Sequence, residues 1–350
     1  LISDCEQAIE SGTFIVMNKS VVPPSGDKHD YYSFGPYWWP DTTKPDGLPY
    51  IRRDGERNPL TRSAKFDRQA MRMMVRSAVS LSLGYYYTHE ERYAEHALKV
   101  LRTWFIDPET RMNPHLEYGQ AIPGRVEGRG IGIIETGELI YVVEAIGLLE
   151  PSAYFTEKDE NAFKVWFDAY TNWLMHSEKG ITEAGWHNNH GTWYDVQVAS
   201  FALFTGNDSL ARRVCERSKT RRIEAHIKPD GSQPFELQRT RSMHYSLFNL
   251  VAYFELAQLA EHVHIDLWHY RTKEGAGIKT AFDFLLPYFQ DQSWPYQQIT
   301  PMHHEYDILE KLLRIASIKY QDGQYVDLLH DMALLHSADR LTLLYPVCDK

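Results

Sequence analysis

Cysteine is scarce: Cys5, Cys215 and Cys348 are the only three in 350 residues, far apart and in no metal-like or redox-like spacing. One disulfide, for example between the chain ends, is compatible with this, and so are three thiols, so the redox compartment stays open. Long hydrophobic runs are missing as well. No stretch of about eighteen apolar residues occurs, so no transmembrane span is expected. Positive charge is in deficit, with 37 Lys and Arg against 47 Asp and Glu and a formal net charge of −10. Nucleic-acid binding draws on a basic surface that neutralises phosphates, and this balance argues against it. The alternating pattern of half-buried strands is nearly absent. So are His-Glu-x-x-His and any cysteine ligand cluster, and neither a metal nor another cofactor is expected. His303-His304-Glu305 is the one other dense group of possible ligands, and a helix start accounts for it better. Gly128-Arg129-Gly130-Ile131-Gly132 mimics a glycine-rich nucleotide loop but follows no strand, so a dinucleotide site is excluded. The chain opens at Leu1 with neither a basic n-region nor an apolar h-region; a leader has been removed or none existed.

What is present is ordinary globular material with an unusual aromatic load. Hydrophobic residues make up 43% and charged residues 24%, while aromatics reach 13%, with 22 Tyr and 9 Trp. Tyr and Trp join an apolar face to a polar tip, which suits sugar rings in an open groove. Net charge governs solubility and long-range steering, not the lining of one cleft. The runs Arg52, Arg53, Arg57, Arg62 and Arg239, Arg241 supply local positive charge even though solvated faces commonly look the same.

The periodicity is helical almost throughout. Apolar stripes run through Met74, Val75, Ala78, Val79 and Leu81; through Ala97, Leu98, Leu101, Trp104 and Phe105; and through Ile133, Ile134, Ile140, Val143 and Ile146. Further helices are expected near 157–177, 191–206, 208–227, 240–262, 276–289, 304–320 and 324–334. Breakers separate them at Asp107-Pro108, Glu150-Pro151, Gly180, Gly206-Asn207-Asp208, Pro229-Asp230-Gly231 and Asp322-Gly323. Short turns between helices imply antiparallel hairpins, and 243–260 is apolar on more than one face, as a doubly packed inner helix must be. The expected fold is all-α, an (α/α) toroid of about five to seven hairpins. No composition shift marks a boundary, so residues 1–350 are expected to form a single domain. Residues 20–60 and 107–130 carry no periodicity, and they read as loops lining or covering one mouth of that toroid.

Three constellations carry candidate chemistry. His187-Asn188-Asn189-His190 opens a helix after a glycine-containing turn, where amides and imidazoles meet the positive dipole end and can hold an anion. N-capping by Asn188 or Asn189 is the plain alternative. In Glu236-Leu237-Gln238-Arg239-Thr240-Arg241-Ser242-Met243-His244-Tyr245, Arg239 and Tyr245 lie six residues apart and can converge if a helix starts near Arg241. An arginine grips a carboxylate bidentately and can favour ionisation of a nearby phenol; a surface arginine and a buried tyrosine are the alternative. The third is Gly35-Pro36-Tyr37-Trp38-Trp39-Pro40-Asp41 with Asp46-Gly47-Leu48-Pro49-Tyr50, a plausible sugar-stacking loop.

Taken in order, these segments resemble the alginate lyase superfamily, with polysaccharide lyase families five and thirty-eight the nearest in kind. The resemblance runs from about residue 30 to 260 and includes Asn113-Pro114 to Gln120 and Gly128-Arg129-Gly130. In family five the tyrosine follows the arginine by seven residues and precedes a histidine; here the spacing is six and His244 precedes Tyr245, which is closer to family thirty-eight. The resemblance implies an (α/α) toroid and a catalytic set of Asn189, His190, Arg239 and Tyr245. Substrate contacts are expected from Tyr37, Trp38, Trp39, Gln120, Arg129, Asn188 and His244. The implied reaction is β-elimination on a 1,4-linked polyuronate, alginate first and glucuronan as the alternative. Asn189, Arg239 and in part His190 would neutralise the substrate carboxylate, while Tyr245 would act as acid and, for mannuronate, also as base. For guluronate His190 is the better base. An inverting glycoside hydrolase would instead need two carboxylates about 6.5–9.5 Å apart, for which Asp195 and Glu236 are available. A non-catalytic polysaccharide-binding protein is the third reading. The expected partner is an acidic polysaccharide met by a secreted or periplasmic monomer.

Overall fold

The stripe beginning at Met74 belongs to helix Arg68–Thr88, which ends where His89 takes a left-handed conformation at φ 58° and turns the chain into helix Glu91–Phe105. The structure is a computed structural model and describes residues 1–335 and 340–347. Cys348 lies outside the described residues. Cys5 and Cys215 are both buried, and burial pushes the Cys215 thiol up to about 12.

The chain groups into two compact units. The first comprises Leu1–Gly185 with Ser200–Asp208, and the second Trp186–Ala199 with the chain from Ser209 onward. In the first unit helix Arg68–Thr88 packs against helices Ile2–Ser11, Glu91–Phe105 and Leu139–Leu149. Met74, Ala78 and Leu81 from its stripe are fully buried, as are Ala97, Leu101 and Trp104 from the next helix. Helix Glu157–His176 starts at a capping box in which Thr156 and Asp159 satisfy each other's backbone N–H groups. It contributes Phe163, Trp166, Phe167 and Tyr170 to an aromatic layer that also takes in Phe105 and Phe201.

Two local readings of the sequence are corrected here. Gly180 does not break the chain but sits inside helix Glu178–Ala184, where a Cβ would overlap the Leu174 carbonyl. Glycine at this position lets the short helix fold tightly onto Glu157–His176. The stripe from Ile133 to Ile146 is divided, because Gly130–Thr136 is wound as a 3₁₀ helix and the α-helix is Leu139–Leu149. Seven residues cover only about two turns of either winding, too short a stretch for periodicity alone to separate them.

The two aperiodic stretches meet each other within the first unit. Tyr32–Phe34 pairs in parallel with Tyr118–Ala121, and Trp38–Trp39 pairs antiparallel with Ile51–Arg52.

In the second unit helix Ser242–His262 packs against helices Ile278–Leu285 and Tyr306–Tyr320, the latter followed by Gly323–Asp331. Met243, Leu247, Leu250, Phe254 and Ala257 are all buried, which matches its apolar character on more than one face. The helix expected at 276–289 changes to 3₁₀ winding at Leu286–Phe289, where Pro287 lacks an N–H to continue the α pattern. The one expected at 208–227 passes from α-helix Asp208–Ser218 into a π-helical turn, Lys219–Glu224. That turn aims Arg222 into the interior. The chain is thus all-α with short pairings confined to its loops, as expected.

Candidate active site

Helix Asn189–Phe204 begins at a terminus capped from two directions. The Asn188 side chain accepts from the His190 N–H at 3.2 Å, the turn geometry expected of an asparagine at this position. Glu236 reaches in from the short helix Pro234–Leu237 and accepts from both the backbone N of Asn189, at 2.6 Å, and its Nδ2, at 2.8 Å. A carboxylate at a helix N-terminus meets the positive end of the dipole and satisfies an orphan donor. Asn189 is completely buried and Glu236 nearly so. Burial raises the Glu236 carboxyl to about 7, although the two Asn189 donors and the charges of Arg239 and His190 pull it down. The Asn189 Oδ1 has no hydrogen-bond partner among the described residues. Its Nδ2 is committed to Glu236.

The loop ahead of this helix is anchored from below. Arg222 makes a bidentate pair with Asp195, at 2.7 and 3.1 Å, and donates to the Trp186 carbonyl at 3.2 Å. Gly191 lies so close to Arg222 and to the Trp186 carbonyl that no side chain fits there. His226 stands behind, its pKa lowered to about 3 by burial and then by Arg222 and His187.

Arg239 follows Glu236 by less than one helical turn, and its guanidinium carbon lies 3.7 Å from the centre of the Tyr245 ring. Tyr245 sits in the first turn of helix Ser242–His262 and is 7% exposed. The expected convergence of Arg239 and Tyr245 is therefore observed. His244, beside it, places Nδ1 2.8 Å from Glu305, a completely buried carboxylate that also faces the Arg241 guanidinium at 3.7 Å. Glu305 is thus turned inward as a partner for His244, while His303 and His304 stay exposed. Among the described residues no group of three His, Cys, Asp or Glu side chains is arranged to hold a metal ion.

The carboxylates named for a hydrolase are both engaged, Asp195 by Arg222 and Glu236 by Asn189. Glu236 and Glu305 are the site residues whose roles the sequence did not convey. Glu236 stands out in the sequence only as the start of the Glu-Leu-Gln-Arg segment and as a candidate hydrolase carboxylate, not as the partner of Asn189, and Glu305 only as the last of a possible ligand cluster.

The remaining sequence-predicted residues belong to the first unit. Trp38 is half-buried with two guanidinium groups over its ring, Arg125 at 5.2 Å and Arg129 at 5.8 Å from its centre. Trp39 lies under Arg53 and donates from Nε1 to the Glu56 carbonyl. Tyr37 precedes them, also half-buried. Arg129 bonds twice to Gln120, through Nε to its carbonyl at 3.0 Å and through its other nitrogen to Oε1 at 2.7 Å. Burial depresses the Arg129 guanidinium to about 10. Arg52 is engaged on the surface with Asp54, the solvated outcome for that member of the first arginine run.

Comparison with known proteins adds to this geometry. The family model described as alginate lyase matches residues 15–294. The chain is 38% identical to an alginate lyase from Bacteroides ovatus of known crystal structure, covering 99% of this chain and 92% of that one with a TM-score of 0.96. A histidine-to-alanine variant of alginate lyase A1-III, complexed with a tetrasaccharide, matches at 16% identity and a TM-score of 0.59, over 89% of this chain and 78% of that one. A tyrosine-to-phenylalanine variant of the same enzyme, also with a tetrasaccharide, matches at 13% identity and a TM-score of 0.61, over 99% and 88%. These last two likenesses are of fold. No curated protein matches.

Proposed function

We propose that this chain, which belongs to the alginate lyase family and is a polysaccharide lyase, cleaves 1,4-linked polyuronate, alginate in the first place, by β-elimination. One observation carries the reading. Asn189, His190 and Arg239 gather around a single buried carboxylate, and the Arg239 guanidinium lies on the ring of Tyr245. These are donors and proton carriers of the kind the reaction requires.

The C5 hydrogen of a uronate is only weakly acidic because it lies α to a carboxylate. Its removal builds enolate-like charge on that carboxylate, and pre-placed amide and guanidinium donors make this charge tolerable. Asn189 and Arg239 take this role, with His190 beside them. As the C5 proton leaves, its electrons form the C4–C5 double bond, the C4–O bond breaks, and the departing oxygen takes a proton from Tyr245. In mannuronate the proton and leaving oxygen share a face, so the Tyr245 hydroxyl can accept one proton and return it. In guluronate they lie on opposite faces, and His190 is the base. The Arg239 charge over the ring supports negative charge on the phenol oxygen between the two transfers.

The test is ultraviolet absorbance during incubation with poly-mannuronate, poly-guluronate and glucuronan. The expected result is a rise from the new double bond conjugated with the carboxylate, on at least one alginate block. A rise on glucuronan alone reassigns the substrate. Shortening of the polymer with new reducing ends and no absorbance rise defeats the β-elimination reading.

A further inference from the structure

The loop between Phe289 and Met302 is absorbed by none of the roles above, yet it is fastened to the segment joining Arg239 to Tyr245. Ser242 donates to the Gln297 carbonyl from both N, at 3.1 Å, and Oγ, at 2.7 Å. The Met243 N–H is capped by the Gln298 side chain at 3.1 Å, and Ile299 N donates to the Thr240 carbonyl at 3.0 Å. Gln297 and Gln298 thereby satisfy the first orphan donors of helix Ser242–His262. The loop is a clasp on the start of the helix that carries Tyr245.

The same loop presents aromatic surface. Trp294 donates from Nε1 to Ser242 Oγ at 2.8 Å, which pins its indole one helical turn before Tyr245, on the same side of the helix. Tyr288 meets it edge-on at 4.9 Å and Tyr296 lies against it at 5.0 Å. Tyr296 remains 39% exposed and the neighbouring Ile299 48% exposed. A loop whose only task was to cap the helix would need the two glutamines and no exposed rings. A polymer cut at one bond also has rings on either side of it that need a place to rest.

We infer that Trp294 and Tyr296 form a carbohydrate subsite continuous with the Tyr245 end of the site, which stacks the apolar face of a uronate ring one or more residues from the bond that breaks. The inference rests on the polyuronate reading above. The clasp holds the rings rigidly, so little ordering entropy is lost when a sugar binds. Stacking of this kind contributes on the scale of aromatic pairs, which corresponds to about two- to tenfold in affinity.

The experiment uses the full chain and three variants, Tyr296→Ala, Trp294→Phe and Trp294→Ala. Retardation in gels containing alginate or glucuronan measures binding, and absorbance measures turnover on polymer and on short oligouronates. Tyr296→Ala is expected to weaken retardation and raise KM on polymer about two- to tenfold, with kcat within about twofold and the shortest substrates unaffected. Trp294→Phe keeps a stacking face but loses the Ser242 bond, so it should retain most of the affinity that Trp294→Ala loses. Unchanged retardation and KM for Tyr296→Ala, or an equal loss on every substrate length, overturns the subsite. A lower melting temperature with unchanged affinity assigns the rings to the clasp alone and overturns it too. If wild type is retarded but produces no absorbance on any polyuronate, the reaction reading fails while the subsite is still judged by binding.

Discussion

Replacing Glu236 by glutamine isolates the buried contact that holds Asn189. The wild-type carboxylate accepts two hydrogen bonds from Asn189, at 2.6 and 2.8 Å, in an interior from which solvent is excluded. Its pKa is 4.5 in water and about 7 when folded, with burial the largest cause. Between those values the folded chain holds the proton more tightly than the unfolded chain. Stability contributed by this group is therefore fully present below about 4.5 and is lost as pH rises through about 7. At about 1.4 kcal/mol per pH unit that interval corresponds to roughly 3 kcal/mol. Glutamine cannot ionise, so the variant lacks this slope. It does carry an NH₂ where one Asn189 donor needs an acceptor, which costs about 1–3 kcal/mol.

Urea denaturation of both proteins from pH 4.5 to 8.5 measures the difference directly. The variant is expected to be the less stable near pH 5 and to draw level with wild type, or pass it, by pH 8. Asp67, whose carboxyl burial raises to about 7 against the pull of Lys19, titrates in both proteins and cancels. Turnover of the variant should fall at least about tenfold at every pH, because Asn189 loses one of its two fixed contacts. A stability difference that stays flat across the range would refute the titration argument. Full turnover with the expected stability curve would show that the Asn189–Glu236 contact serves folding only.

Other perturbations address the remaining roles. Tyr245→Phe removes a hydroxyl and leaves the ring under Arg239, so the fold should survive while turnover falls about 10²–10⁴-fold; retention of more than a tenth would place the acid elsewhere. His190→Ala should depress guluronate cleavage more than mannuronate cleavage, and equal losses on the two homopolymeric blocks would remove it as the far-side base. Arg239→Ala, in contrast, should depress both, since the enolate-like charge is common to them. Trp38→Ala deletes a ring in contact with Arg125 and Arg129, and a several-fold weaker polymer affinity with little change in melting temperature is expected. A large fall in melting temperature with unchanged affinity would assign Trp38 to the packing of its loop.

The parts of the site that were legible in the sequence are those whose partners are near in the chain. Asn188 caps the turn that holds His190 two residues later, and Arg239 reaches Tyr245 six residues on, so a short motif contains both halves of each contact. Glu236 and Asn189 are 47 residues apart, and Glu305 and His244 are 61 apart. No local pattern links them, because the pairing exists only once two separate elements have packed. The same distinction separates the fold's readable and unreadable parts. Helix Glu157–His176 announces itself by its own capping box, whereas the role of Gly180 depends on a carbonyl six residues away that only tight folding back brings close. Both carboxylates are buried, and a buried carboxylate in a site of cations and amides must be paired to exist there at all. The donors it pairs with are thereby fixed in orientation. If Asn189 and Arg239 meet a substrate carboxylate as proposed, Glu236 has already fixed Asn189 in orientation through two hydrogen bonds, and little reorganisation of that donor would remain when the enolate forms.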